Sequence, residues 1–106
     1  MNTNTIKSED GVVRIEPVNY RELTWQERRD LREEYIKAQG GKCFYCGKSL
    51  DEFSPPEVVE KPIDWRYFPP NFLDYPVHLQ HDHETNLTEG AVHSYCNAVM
   101  WQYEHR

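Results

Sequence analysis

Apolar positions change rhythm along this chain. From Trp25 they follow a helical period: Leu31, Tyr35 and Ala38 recur at i, i+4 and i+7 and make one apolar stripe, with Trp25 at its start. Thr24 and Glu27 stand in the spacing of a capping box, and Gly40-Gly41 supplies a stop, so a helix is predicted from residue 25 to about Gln39. From Val77 to His83 the period becomes two, which predicts a strand with Val77, Leu79, His81 and His83 on one face. A turn is predicted over Asn86 to Gly90, a short returning strand at Ala91-Val92, and a last helix opened by Asn97 and running through Trp101 and Tyr103. Val99, Met100 and Trp101 of that helix would cover the hairpin. The order strand, turn, strand, helix is a ββα unit, and the chain reads as a small α+β domain.

Two stretches keep no rhythm. Residues 1–11 are polar and predict a disordered tail. Val12, Val13, Ile15 and Val18 predict a short extended segment limited by Pro17, so residues 1–23 precede a domain of residues 24–106. Residues 52–76 hold six of the seven prolines, which forbid a long helix or a central strand. They also hold Phe53, Trp65, Tyr67, Phe68, Phe72 and Tyr75, too many aromatics for a disordered linker. An ordered, irregular insertion packed on the core is expected, either structural or presenting aromatics to a nucleic acid or a protein partner.

With 106 residues, 38% of them hydrophobic, the core is small and a structural metal is an obvious supplement. Three cysteines cannot all pair within one chain, and C-x-x-C spacing favours metal over disulfides, hence a reducing, cytoplasmic setting. No run of apolar residues is long enough to span a membrane, and no secretory h-region follows the N-terminus. The net charge of −6 opposes nucleic-acid binding by bulk electrostatics and predicts weak, salt-sensitive binding to DNA or help from a partner. Local positives do cluster at Arg21, Arg28, Arg29 and Arg32. They read either as a solvated helix face interleaved with Glu27, Asp30, Glu33 and Glu34, or as a phosphate-contacting patch in which Arg28, Arg29 and Arg32 bind substrate.

Cys43-Phe44-Tyr45-Cys46 and His93-Ser94-Tyr95-Cys96 are two x₂-spaced pairs, which together complete a closed tetrahedral structural Zn²⁺ site. A redox dithiol would want a βαβ setting, which is absent. The turn from Cys43 to Leu50 is expected to aim backbone N–H groups at thiolate sulfurs. Gln80-His81-Asp82-His83 lies between the pairs, and Asn97 follows the last cysteine. An imidazole titrates near neutrality, so His81 is the candidate general base. His83 is read as an auxiliary to phosphate or metal, and Asp82 as an orienting group or a metal carboxylate. Asn97 is either a helix N-cap or a ligand of a catalytic metal. His78 and His105 read as surface residues.

These residues resemble the HNH, or ββα-metal, endonucleases, most closely the phage recombination endonuclease VII type. The likeness rests on Gln80-His81-Asp82-His83-Glu84-Thr85, Gly90, His93-x-x-Cys96-Asn97 and the upstream Gln39-Gly40-Gly41-Lys42-Cys43-x-x-Cys46-Gly47. It covers residues 24–50 and 77–104; the first 23 residues and the Pro-rich insertion have no counterpart. The resemblance implies a zinc-stabilised ββα-metal, treble-clef-like fold and a metal-dependent DNA endonuclease of phage or mobile-element type, acting in the host-cell cytoplasm. It further implies hydrolysis to 5′-phosphate and 3′-hydroxyl ends, DNA and a homodimer mate as partners, and Mg²⁺ or Mn²⁺ held by Asn97, with Gln80 or Asp82. Two positions depart from the family pattern: His93 stands where the family has a zinc cysteine, and Gln80 where it has a metal-binding Asp. Imidazole is an ordinary zinc ligand, but a neutral amide holds Mg²⁺ less well than a carboxylate. The alternative function is a zinc-stabilised DNA- or protein-binding module with little or no catalysis.

Overall fold

The computed structural model describes residues 5–7 and 13–105. In chain order it contains β1 (Thr5–Lys7), β2 (Val13–Ile15), α1 (Trp25–Ala38), α2 (Pro56–Val59), β3 (Val77–His81), β4 (Thr88–His93) and α3 (Ser94–Glu104), with single 3₁₀ turns at Tyr20–Glu22 and Trp65–Tyr67. The architecture is α+β. β1 pairs antiparallel with β2, Thr5 opposite Ile15, and β3 pairs antiparallel with β4 in a separate two-stranded sheet. The disordered tail expected over residues 1–11 is therefore corrected at Thr5–Lys7, which form a strand. The rest of that expectation, and Val12 of the extended segment, lie outside the described residues.

α1 starts and stops as its sequence dictates. The Thr24 hydroxyl accepts from Glu27 N (3.2 Å) while the Glu27 carboxylate accepts from Thr24 N (2.9 Å), so two backbone donors at the helix start are satisfied. At the other end Gly41 N donates to Ile36 O and Gly40 N to Lys37 O, the paired bonds of a Schellman turn. Both glycines hold positive φ, which a residue with a Cβ adopts only under strain. Leu31 and Tyr35 are buried as the stripe requires, but Trp25 stays 65% exposed and is not part of it.

The hairpin and α3 differ from the sequence expectation in three ways. β3 ends at His81 rather than His83, because the pairing slips between Gln80 and His81. That irregularity breaks the alternation, so Gln80 is as buried as its neighbour Leu79. The turn lies before Thr88, with Asn86 at positive φ, and β4 takes in Thr88, Glu89 and Gly90, which had been assigned to the turn. α3 starts at Ser94, so Asn97 sits in its first full turn and is not its N-cap. Val99 and Met100 cover the hairpin, but Trp101 turns the other way, against Tyr67 and Phe68 of the insertion.

Leu31, Tyr35, Leu79, Ala91, Val92, Cys96, Val99 and Met100 form one core between α1, the β3–β4 sheet and α3. The insertion packs on the far side of α3. Its backbone carbonyls are taken by α3 side chains: Tyr95 Oη donates to Val59 O and Lys61 O, Gln102 Nε2 to Pro62 O and Tyr103 Oη to Pro62 O. Trp65 meets Tyr95 edge-on, and Phe68 meets Trp101 edge-on. An irregular proline-rich backbone has few partners of its own, and these bonds supply them. Among the described residues no helix is long and apolar enough to cross a membrane.

Candidate functional site

Two sites share the ββα unit. The first is the thiol–imidazole cluster. α1 ends at the glycine pair and hands the chain to a tight turn in which Cys43 N donates to Lys48 O and Gly47 N to Cys43 O. Phe44 N donates to Ala91 O, which ties this turn to β4 and brings Cys43 and Cys46 to His93 and Cys96. The four ligand atoms lie within 4.8 Å of one another. His93 Nδ1 is 3.4 Å from Cys46 Sγ and 3.6 Å from Cys96 Sγ. A tetrahedron with Zn–S near 2.3 Å and Zn–N near 2.0 Å has S···N edges of about 3.5 Å.

The surroundings fit a metal as well. His93 is buried, and its Nε2 donates to Ser49 O at 2.8 Å, which leaves Nδ1 with its lone pair toward the sulfurs. Ser54 Oγ lies 3.3 Å from Cys96 Sγ. Cys96 and the backbone N–H groups of Cys46, His93 and Tyr45 favour the Cys43 thiolate and lower its pKa, while Cys43 and burial push Cys96 up. The group could hold a structural metal such as zinc.

The second site is a cleft of about 370 Å³ lined in part by β3. Gln80 and His81 come from β3, His83 from the turn, Asn97 from α3, and Arg28 and Arg32 from α1. Asp82 and Arg29 do not line it. The Asp82 carboxylate instead accepts from Glu84 N (2.8 Å) and Thr85 N (3.1 Å) and shapes the turn that carries His83. Those bonds keep its pKa low. Arg29 lies in an adjoining groove with Trp25.

His81 stacks on Tyr20 with ring centres 4.1 Å apart and planes 10° from parallel. The Arg28 guanidinium lies 3.9 Å from the same ring centre and donates to Tyr20 O. Two groups this close to one ring centre cannot share a face, so Tyr20 is sandwiched between them. Tyr20 is held in turn: its N donates to Asn86 O, Thr88 N donates to Val18 O, and Val18 N donates to the Thr88 hydroxyl, which also bonds Tyr35 Oη. Burial, then His83, Arg28 and Arg21, push the His81 pKa down to about 4, so the ring is neutral at pH 7.

His78, read from sequence as a surface residue, is half-buried in the cleft wall, and burial lowers its pKa. Asn97, which is not the cap of α3, places Nδ2 3.1 Å from His78 Nδ1. His105 is exposed at the end of α3. Gln80 is only 1% exposed; its Nε2 donates to His81 O (2.8 Å) and reaches Glu89 Oε1 (3.3 Å). Among the described residues, no Asp or Glu lines the cleft.

Sequence reading missed Tyr20 and His78, and it named Phe72 and Tyr75 only among the aromatics of the insertion; all four wall the cleft. Phe72 meets His78 edge-on at 4.7 Å. No local signal marks Tyr20, whose position depends on bonds to residues more than sixty positions away. No protein-family model, no curated protein and no solved structure matches this chain.

Proposed function

We propose that the chain is a metal-dependent DNA endonuclease of the HNH type, with Cys43, Cys46, His93 and Cys96 as a structural zinc site. The observation that carries the reading is the gathering of His81, His83, Asn97, Arg28 and Arg32 around one cleft, on a ββα unit that also carries His93 and Cys96 of the thiol–imidazole cluster. Four protein ligands leave zinc no open position, so it contributes to folding and not to the reaction.

In this reading a phosphodiester lies across the cleft with Arg28 and Arg32 against its oxygens. His81, neutral at working pH, takes a proton from the attacking water, and Tyr20 fixes the plane of the ring. The water oxygen bonds to phosphorus, the P–O3′ bond breaks, and O3′ leaves with the bonding pair and takes a proton from solvent water to become a hydroxyl. Asn97, Gln80 and His83 would hold a divalent cation there, which when bound supplies positive charge to the phosphate and the leaving oxygen. Two amides and an imidazole without a carboxylate suit Mn²⁺ better than Mg²⁺, because hard Mg²⁺ depends more on charged oxygen ligands.

Nicking of supercoiled plasmid by the zinc-loaded protein tests this. Cleavage is expected with Mn²⁺, weaker cleavage with Mg²⁺, and none without added divalent metal. Absence of cleavage under every metal would refute the reading. The carboxylate-free cleft would then favour the binding module, which needs the arginines but no catalytic cation.

A further inference from the structure

Beside the cleft runs a second groove, of about 400 Å³, lined by Tyr20, Trp25, Arg28, Arg29, Arg32 and Tyr75. It is continuous with the cleft through Tyr20, Arg28, Arg32 and Tyr75, which line both. Trp25, Arg28, Arg29 and Arg32 stand at i, i+3, i+4 and i+7 of α1 and so share one helix face, while Glu27, Asp30, Glu33 and Glu34 fall on the remaining faces. The charges that look interleaved in sequence are largely sorted around the helix, with one contact across the border, where Arg29 Nε lies 3.5 Å from Asp30 Oδ1 in an exposed pair that a phosphate on Arg29 would compete with. In a chain of net charge −6 this makes a narrow positive strip bordered by negative charge. Trp25 and Tyr75 are each 65% exposed, far more than a packing role needs, and the Arg29 guanidinium lies 5.4 Å from the centre of the Trp25 ring.

We propose that this groove binds single-stranded DNA next to the cleaved phosphodiester, with an unpaired base stacked on Trp25 or Tyr75 and its phosphate on Arg29 and Arg32. The inference deepens the endonuclease reading and rests on it for the position of the scissile phosphate. Three features favour a single strand over a duplex. Exposed aromatic rings beside arginines match the way unpaired bases and their phosphates are held together. A paired base keeps its faces stacked inside the duplex, where these rings cannot reach them. The strip is one helix face wide, so the second strand of a duplex would lie toward the acidic faces of α1.

The test measures binding of a labelled 15-nucleotide oligothymidylate and of a 15-base-pair duplex, without added divalent metal, to the zinc-loaded parent, Trp25→Ala, Trp25→Phe, Tyr75→Ala and Arg29→Ala. Loss of a stacking ring is expected to weaken single-strand binding roughly 5- to 150-fold and duplex binding hardly at all, with Trp25→Phe close to the parent. Arg29→Ala is expected to weaken binding and to reduce the slope of log K against log salt by up to about 0.7, the single-strand value per phosphate. Equal or tighter binding of the duplex by the parent overturns the proposal, as does retention of single-strand affinity in both Trp25→Ala and Tyr75→Ala. Plasmid nicking by Trp25→Ala separates the two readings. If the parent binds the single strand through Trp25 but never cuts, the endonuclease reading falls and the groove stands. If both proteins cut equally and neither prefers single strands, the groove falls and the endonuclease reading stands.

Discussion

Among the described glycines, Gly90 is the one where an added Cβ would meet other atoms. It pairs with Gln80, a cleft residue, across the hairpin. A Cβ built there would lie 2.8 Å from Gln39 Oε1 and 2.8 Å from two ring carbons of Phe44, closer than carbon side chains approach one another. Gln39 cannot withdraw freely. Its Nε2 donates to Lys42 O and Ala91 O, and its Oε1 accepts from Ala91 N at 2.8 Å. Phe44 is anchored by its backbone bond to Ala91 O, and because Cγ is one of the close atoms, rotation of the ring plane does not relieve the clash. Relief therefore requires loss of one or two Gln39 hydrogen bonds, at about 1 kcal/mol each, or an off-rotamer Phe44 at about 0.5–1.5 kcal/mol. Gly90→Ala is expected to cost about 1–3 kcal/mol in all, a fall in Tm of about 5–20 °C for a domain this size. Thermal unfolding followed by circular dichroism measures it. In a Phe44→Ala background the cost should shrink by at least about 0.5 kcal/mol, because one of the two obstacles is gone. A Tm within about 1 °C of the parent would refute the close-packing argument.

Four further outcomes are expected. Cys46→Ser should lose metal and unfold, since structural zinc contributes on the order of 10–16 kcal/mol, as much as the whole stability of a small domain; a folded variant without zinc by elemental analysis would contradict this. His81→Ala should keep the fold and lower cleavage by about 10²–10⁴-fold, with His83→Ala costing less; the opposite ranking would make His83 the base. Gln80→Asp places a carboxylate beside Glu89 and loses the amide bonds, so its Tm should fall without divalent metal and recover as Mn²⁺ or Mg²⁺ is added; a Tm indifferent to metal would remove Gln80 from the metal seat. The His81 pKa is depressed in the folded protein, so the unfolded chain binds the extra proton between the ordinary histidine value and about pH 4. Its stabilising contribution is therefore present above about pH 6.5 and lost as pH falls toward 4. His81→Gln should flatten that part of the Tm–pH curve relative to the parent, and an unchanged curve would show that the ring does not titrate there.

How far the sequence reaches is clearest where a signal is complete within a few residues. Thr24, Glu27 and Gly40-Gly41 bound α1 by bonds that span three to five positions, and the helix begins and ends where they dictate. The two x₂-spaced pairs likewise carried the ligand cluster, because short spacing fixes each pair and the set of four needs only one meeting of the two halves. Periodicity failed where one residue interrupts it: the slip between Gln80 and His81 buries a glutamine and ends β3, and alternation alone contains no record of that break. Asn97 carries the chemistry of a cap, but the helix starts at Ser94 because Ser94 N is taken by Pro76 O, a partner eighteen positions back. The cleft was legible as a set of residue types at His81, His83 and Asn97, and its walls were not. Tyr20, Phe72 and Tyr75 reach it from segments that touch in the folded chain alone, and His78, on the same strand as Gln80 and His81, enters the wall because both faces of β3 are covered. Composition decided that the molecule is acidic, and the helix legible in sequence puts three arginines and a tryptophan on one face, because a helix sorts neighbours by angle rather than by order; only the tertiary structure decided that this face meets Tyr20 and Tyr75 and adjoins the cleft, since those residues come from distant segments.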